Sequence, residues 1–304
     1  MIEQIRLNAV KWLHVHYPSD EDFNLLVKEY GFHPLDIEDC KTRIQRSKID
    51  IYDNYNFMIL HFPYFDKNNR FIKVKEIKIF WSKDYIITFG SAHWVIRELF
   101  LDLRKKIDDG EKDTLLISSD MLLYHMLDGL VKETQVILQR IDAEINLINK
   151  EMFNRNAQKI IEKISITRKN VILLNTTFKP QLRLFHKFES GEIKGFVGED
   201  MEDYWGNILD HYQKNWDMIE DDGELLEGLS QTFDSMQANR TNEIMKMLTF
   251  ISTIVLPMTF ITGLYGMNVK LPLGDHPLAF AMIVGFMLLV VIFLILYFKR
   301  KRWM

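Results

Sequence analysis

The rhythm of apolar and polar positions changes twice along the chain. Up to about residue 90 it alternates in short runs. Val10 to His16 reads as a half-buried strand, Tyr55 to Tyr64 and Phe71 to Trp81 as a hairpin, and Tyr85 to Phe89 as a further strand. The hairpin turn contains Asp66, Lys67, Asn68 and Asn69. Ser19 to Tyr30 has an acidic first turn and an amphipathic body with Gly31 behind it, which predicts a capped helix. Residues 1–90 are therefore expected to form an α/β subdomain. Beyond Gly90 the period becomes helical, over Ala92 to Ile107, Leu115 to Met152 and Ala157 to Lys187, with Gly110 and the 191–198 stretch as breaks. That makes 91–198 a helical subdomain. From Glu199 onward no stop signal interrupts the pattern for about 65 residues, roughly 100 Å of helix. Ile219, Leu226, Leu229, Phe233 and Met236 form an apolar stripe on this stalk, 199–265.

The third regime is apolar throughout. Met247 to Tyr265 and Pro277 to Phe298 contain no charged residue. At about 1.5 Å per residue each is long enough to cross a hydrocarbon layer of roughly 30 Å. The stalk is thus expected to run into a first span at about 245–265, followed by a loop, 266–276, a second span, 277–298, and a basic tail, 299–304. Lys299, Arg300, Lys301 and Arg302 follow the second span, Arg240 and Lys246 precede the first, and the loop carries Lys270 against Asp275. Positive charge gathers on one side, which places both termini in the cytoplasm and the protein in the cell (inner) membrane. The first residues show no charged-apolar-small leader, so the large N-terminal part is expected to remain cytoplasmic.

Composition narrows the function. Charged residues make up 26% of the 304 positions with a net charge of −4, which suits a polar domain with a small membrane part and gives no reason to expect nucleic acid. A single cysteine, Cys40, fits a reducing compartment. The chain has no Gly-rich phosphate loop, no Gly-x-Ser-x-Gly and no His-Glu-x-x-His, so no enzymatic activity is expected. His14 and His16 share a strand face but lack a visible third ligand and read as surface positions. The run Asp217, Glu220, Asp221, Asp222, Glu224 reads as a solvated acidic face.

Two helices cannot enclose an aqueous path, so a pore requires several copies around an axis. Asn242, Met245, Thr249, Ser252, Leu256, Thr259 and Gly263 recur at steps of three and four and share one helical face. They are mostly small or polar, whereas the second span is almost entirely large and apolar. The first span is therefore the candidate pore lining. The competing reading is packing between helices through small residues.

Three runs, Thr241 to Thr249, Leu256 to Asn268 with its Gly266-Met267-Asn268, and Tyr297 to Trp303, closely resemble the CorA family of divalent-cation transporters. His33-Pro34-Leu35 and Ile49 to Tyr55 look like family patterns as well. The resemblance implies a funnel-shaped homopentamer in the lipid bilayer that carries Mg2+, and also Co2+ or Ni2+. Its selectivity filter would be Gly266, Met267 and Asn268. Magnesium surrenders water reluctantly, so neutral amide and carbonyl oxygens are suited to holding the hydrated ion without trapping it. Thr259 would add a hydroxyl ring, Leu256 and Met245 apolar constrictions, and Pro257 a bend. By resemblance, cytoplasmic divalent ions would hold the channel shut at Asp66 and at Asn207, with Asp210 one turn on as a substitute for the missing acid. The tip departs from the magnesium pattern: Val269 to His276 carries Lys270 where an acid is expected. That keeps a Zn2+ transporter of the same superfamily, proton-coupled in mechanism, as an alternative. The absence of charge within the spans argues against a buried proton relay. In a different class, the chain would be a membrane-anchored coiled-coil sensor or adaptor, which would not need Asn268.

Overall fold

The computed structural model describes residues 2–7, 10–42, 45–66, 71–90, 93–110, 118–153, 157–193, 195–196, 201–267 and 277–301. They fall into two compact units, Met1–Leu229 and Ser230–Met304. The first is built on a six-stranded sheet in the order β1-β2-β6-β5-β4-β3. Its strands are β1 (Ile2–Leu7), β2 (Val10–Val15), β3 (Lys48–Ile51), β4 (Asn56–Phe65), β5 (Ile72–Trp81) and β6 (Tyr85–Phe89). β2 and β6 run parallel and the other pairs antiparallel. The expected hairpin is β4–β5, in register from Asn56 opposite Trp81 to Phe65 opposite Ile72. Its turn residues Lys67, Asn68 and Asn69 lie outside the described residues.

One sheet face is covered by α1 (Asp20–Tyr30) and α2 (Pro34–Lys41). α1 starts in a capping box: the Asp22 amide donates to Ser19 Oγ at 3.2 Å and the Ser19 amide to Asp22 Oδ2 at 2.9 Å. It stops at Gly31, whose φ of 67° is the left-handed conformation that glycine adopts without penalty. Alternate positions of the strands, Leu13 and Val15, Phe57 and Ile59, Ile87 and Phe89, pack there with Phe23, Leu26 and Ile37. α2 buries a carboxylate as well as Ile37: Asp36 accepts the Tyr52 and Tyr55 hydroxyls at 3.1 and 2.8 Å. Lys78 Nζ reaches α2 from β5 and donates to the carbonyls of Asp39, Cys40 and Thr42, satisfying its C-terminal end.

The opposite face carries α3 (Trp94–Asp108), α4 (Ser119–Glu151) and α5 (Ala157–Glu189). Trp12 packs edge-on against Phe100 at 4.9 Å, Trp81 donates its indole N–H to the buried Asp120 at 3.0 Å, and Phe62 meets Phe178. His14 belongs to this face. It is 2% exposed, with Nδ1 2.7 Å from Thr88 Oγ1, and its packing holds the imidazole neutral. The surface reading of this residue was wrong. Alternation along β2 puts it beside Trp12, inside.

α6 (Glu202–Tyr265) enters the first unit beside α4 and α5. Asn215 Nδ2 donates to Val131 O at 2.9 Å, and Tyr212 stacks on Phe178 and Phe185. Tyr212, Asn215, Ile219, Asp222 and Leu226 are all buried along this face. The acidic run is therefore not a uniformly solvated face, since Asp222 points inward at 4% exposure. The second unit contains the remainder of α6, assigned as helix through Pro257, and α7 (Ala279–Arg300). Both helices are long and apolar enough to cross a membrane.

Candidate functional site

All seven stripe positions, Asn242, Met245, Thr249, Ser252, Leu256, Thr259 and Gly263, are exposed on α6. Met245 is 55% and Leu256 69% exposed. Thr253, Ile254, Pro257, Met258, Ile261 and Leu264 are half-buried on the same helix. Phe250 meets Phe298 of α7 edge-on at 5.3 Å, and Ile261 and Leu264 share an apolar groove with Met282, Ile283 and Phe286 of α7. Within one chain, α7 thus packs on α6 away from the stripe.

The two stripe threonines bond alike. Thr249 Oγ1 donates to Met245 O at 2.8 Å and Thr259 Oγ1 to Val255 O at 3.0 Å. Thr253 and Thr262, just off the stripe, do the same to Thr249 O and Met258 O. Each proton is spent on a carbonyl one turn back, so the oxygens turn lone pairs outward. At these threonines the face offers acceptors.

α6 ends where the Gly-Met-Asn motif begins. The Gly266 amide donates to Thr262 O at 2.9 Å and the Met267 amide to Leu264 O at 3.3 Å. A Cβ at Gly266 would lie 3.1 Å from Thr262 O, a tight approach that favours glycine here. Met267 is exposed. Asn268, Lys270, Asp275 and His276 lie outside the described residues. So does Arg302, while Lys299 and Arg300 close the last turn of α7 and Lys301 follows it.

The candidate regulatory residues lie in the first unit. Asp66 Oδ2 is 2.6 Å from Lys73 Nζ. Asn207 Nδ2 donates to the Tyr124 hydroxyl at 3.1 Å, and Asp210 pairs with Lys214 at 2.7 Å, which lowers its acidity range below the ordinary carboxylate value. Among the described residues no hydrogen bond or ion pair joins Asp66 to Asn207 or Asp210. Nor does any group of three His, Cys, Asp or Glu side chains converge to hold a metal ion. The lysine partners were not foreseen. Lys214 was legible as an i,i+4 neighbour of Asp210, whereas Lys73 reaches Asp66 only through the strand register.

Residues 8–300 match the CorA-like Mg2+ transporter protein family. The cobalt/magnesium transport protein CorA of Thermotoga maritima is 28% identical over 276 residues, 90% of this chain and 78% of that one. The protein of the same name from Methanocaldococcus jannaschii is 22% identical over 298 residues, 96% of this chain and 90% of that one. The complete structure of the CorA magnesium transporter from M. jannaschii superposes with a TM-score of 0.81 at 21% identity, covering 97% of this chain and 92% of that one. The superposition shows the same fold, with its mixed sheet, long α6 and two C-terminal apolar helices, and the family match over residues 8–300 shows that the chain belongs to the CorA family of divalent-cation transporters.

Proposed function

We propose that the protein is a homopentameric channel for divalent cations, with Mg2+ as its main substrate and Co2+ and Ni2+ also carried. The observation that carries this reading is the exposed stripe on α6, whose Thr249 and Thr259 hydroxyls bond back to the helix and so turn acceptor oxygens outward. A hydrated cation presents water O–H groups outward. Rings of Thr249, Ser252 and Thr259 oxygens, then Gly266 carbonyl and Asn268 amide oxygens, offer acceptors to those waters without dehydrating the ion. Met245 and Leu256, large and apolar on the same face, provide constrictions. Lys299 to Arg302 keep both termini on the cytoplasmic side of the cell membrane.

Cytoplasmic divalent ions are proposed to act between neighbouring subunits, where Asp66 of one copy meets Asn207 and Asp210 of the next. Release of the ion would leave like charges facing each other and loosen the ring. Both acids hold a lysine in the single chain, so each ion must displace an ammonium. The loop sequence, with Lys270 where an acid is expected, keeps a second reading, transport of Zn2+, since zinc-transporting relatives of the family also lack the acidic tip.

Reconstitution in liposomes tests both readings. Magnesium uptake driven by voltage alone, abolished in Asn268→Ala with the assembly intact, is the expected result. Zinc uptake that requires a proton gradient would replace the first reading by the second. Uptake unaffected by Asn268→Ala would remove the filter.

A further inference from the structure

The buried seam of α6 in the first unit contains one acid. Ile219, Asp222 and Leu226 follow the three- and four-residue spacing of a packed helical face, and each is buried. Apolar side chains are the stabilising choice at such positions. Asp222 is 4% exposed, and its Oδ2 is buried with no hydrogen-bond partner.

The groups facing it do not neutralise it. α4 brings Asp142, whose Oδ1 already accepts from Asn146 at 3.1 Å, and α6 itself brings Asp221. Glu144 of α4 takes the Thr167 hydroxyl at 3.5 Å. α5 packs on this stretch through Val171, 3.7 Å from a Cβ built on Gly223. The cations α5 supplies nearby are both engaged, Arg168 with Glu227 and Lys179 over the Trp216 ring. A buried carboxylate among two others is relieved either by a counter-ion or by a proton. A bound metal is disfavoured, because no group of three ligating side chains forms among the described residues.

We propose that Asp222 is a proton-binding site of the first unit, protonated when α6 is seated on α4 and α5, so that this packing tightens as the pH falls and loosens as it rises. Burial first, and then the charges of Asp142 and Asp221, push its carboxyl up to about 7, within the range of cytoplasmic pH. Protonation removes the repulsion and leaves a neutral acid, which a tight seam accommodates at far smaller cost. Apolar seams tolerate a polar residue when it sets a switch rather than adding stability, and Asp222 is placed for that. The inference stands on the packing of the first unit and does not depend on which ion is transported.

Hydrogen exchange of the full-length protein in lipid nanodiscs tests it, with opening constants for the α6 amides around Asp222 corrected for intrinsic exchange. Opening should rise about tenfold between pH values of roughly 6 and 8, since the open seat releases a proton that the closed seat holds. Asp222→Asn, an uncharged shape match, should open equally at both pH values. Asp142→Asn should keep a rise, but a smaller one, because burial remains while the facing charge is gone. A flat wild-type profile, or a rise that persists in Asp222→Asn, overturns the proposal. A rise suppressed by magnesium chloride also overturns it, in favour of a cation site.

Discussion

Gln181 on α5 completes the edge of the sheet, and its removal should be felt far beyond its own helix. β3 pairs with β4 only as far as Lys48 opposite Ile59, so beyond that point β4 has no strand on its outer side among the described residues. The Gln181 amide takes that place: His61 N donates to Oε1 at 2.8 Å, and Nε2 donates to His61 O at 2.9 Å. The same Nε2 also reaches Thr177 O at 3.0 Å and the Tyr212 hydroxyl at 3.3 Å, so one fully buried side chain ties β4, α5 and α6 together. Gln181→Leu keeps the volume but removes the partners of the His61 N–H and C=O, two half-buried backbone groups. A fully buried unsatisfied group costs about 1–3 kcal/mol, so for two half-buried ones the loss should lie near the lower end of roughly 2–6 kcal/mol, still a large part of a domain's total stability. Urea unfolding of the full-length protein in detergent, followed by tryptophan fluorescence, reads the loss. Hydrogen exchange at the His61 amide reads its origin. A Gln181→Leu protein with unchanged midpoint and an equally protected His61 amide would refute the reasoning.

The other predictions concern a buried imidazole and the ion path. Burial, with His16 and Arg97 nearby, lowers His14 to about 4, against 6.5 when unfolded. The unfolded chain therefore takes a proton that the folded protein refuses, and the His14 contribution is complete above about 6.5 and falls as the pH drops towards 4, by about 3 kcal/mol in all. Subtracting the acid-unfolding profile of His14→Gln from that of wild type should isolate this slope, and coincident profiles would contradict it. In the ion path, Thr259→Val should reduce divalent-cation flux several-fold in liposomes, on the order of 0.5–1.5 kcal/mol per lost acceptor, with helix content unchanged. Thr259→Ser should restore it, whereas flux equal to wild type in the valine variant would show that this oxygen does not face the ion.

Much of the fold was legible because local chemistry repeats the tertiary answer. The Ser19 cap and Gly31 stop delimit α1, Tyr85–Phe89 is a strand as read, and α5 extends from Ala157 to within two residues of the expected end. The misses share a cause. β1 buries only Ile5 and Leu7 and shows Glu3 and Arg6 in the same six residues, and β3 has four residues, none fully buried. α2 is weakly amphipathic because Asp36, satisfied by two tyrosines distant in sequence, takes a core position. His14 and Asp222 were misjudged for the same reason. Whether a polar side chain is inside depends on partners such as Thr88, 74 residues from His14, and no local pattern reveals them. The stripe proposed to line the ion path lies on one exposed helical face, legible because its period is that of the helix. The loop sequence from Asn268 to His276 could be read as residues only.

The contrast between α6 and α7 argues further for which helix meets the ion. Ala279–Arg300 contains no serine, threonine, asparagine or glutamine, while Met247 to Tyr265 contains Thr249, Ser252, Thr253, Thr259 and Thr262. A helix surrounded by hydrocarbon gains nothing from hydroxyls, since each is a polar group taken from water. Bonding the threonine protons to carbonyls one turn back removes the donors but leaves oxygen lone pairs, and these remain costly unless something donates to them. In the proposed homopentamer, donors from a neighbouring helix are scarce, because a symmetric partner presents the same threonine oxygens. Water O–H groups are the remaining source, and they are best oriented for this in the shell of a cation, which turns its waters' protons outward. An anion turns them inward and would meet lone pairs with lone pairs. Along the proposed path, the direction of the threonine hydroxyls favours a cation over an anion, in a stretch of α6 that carries no charge at all.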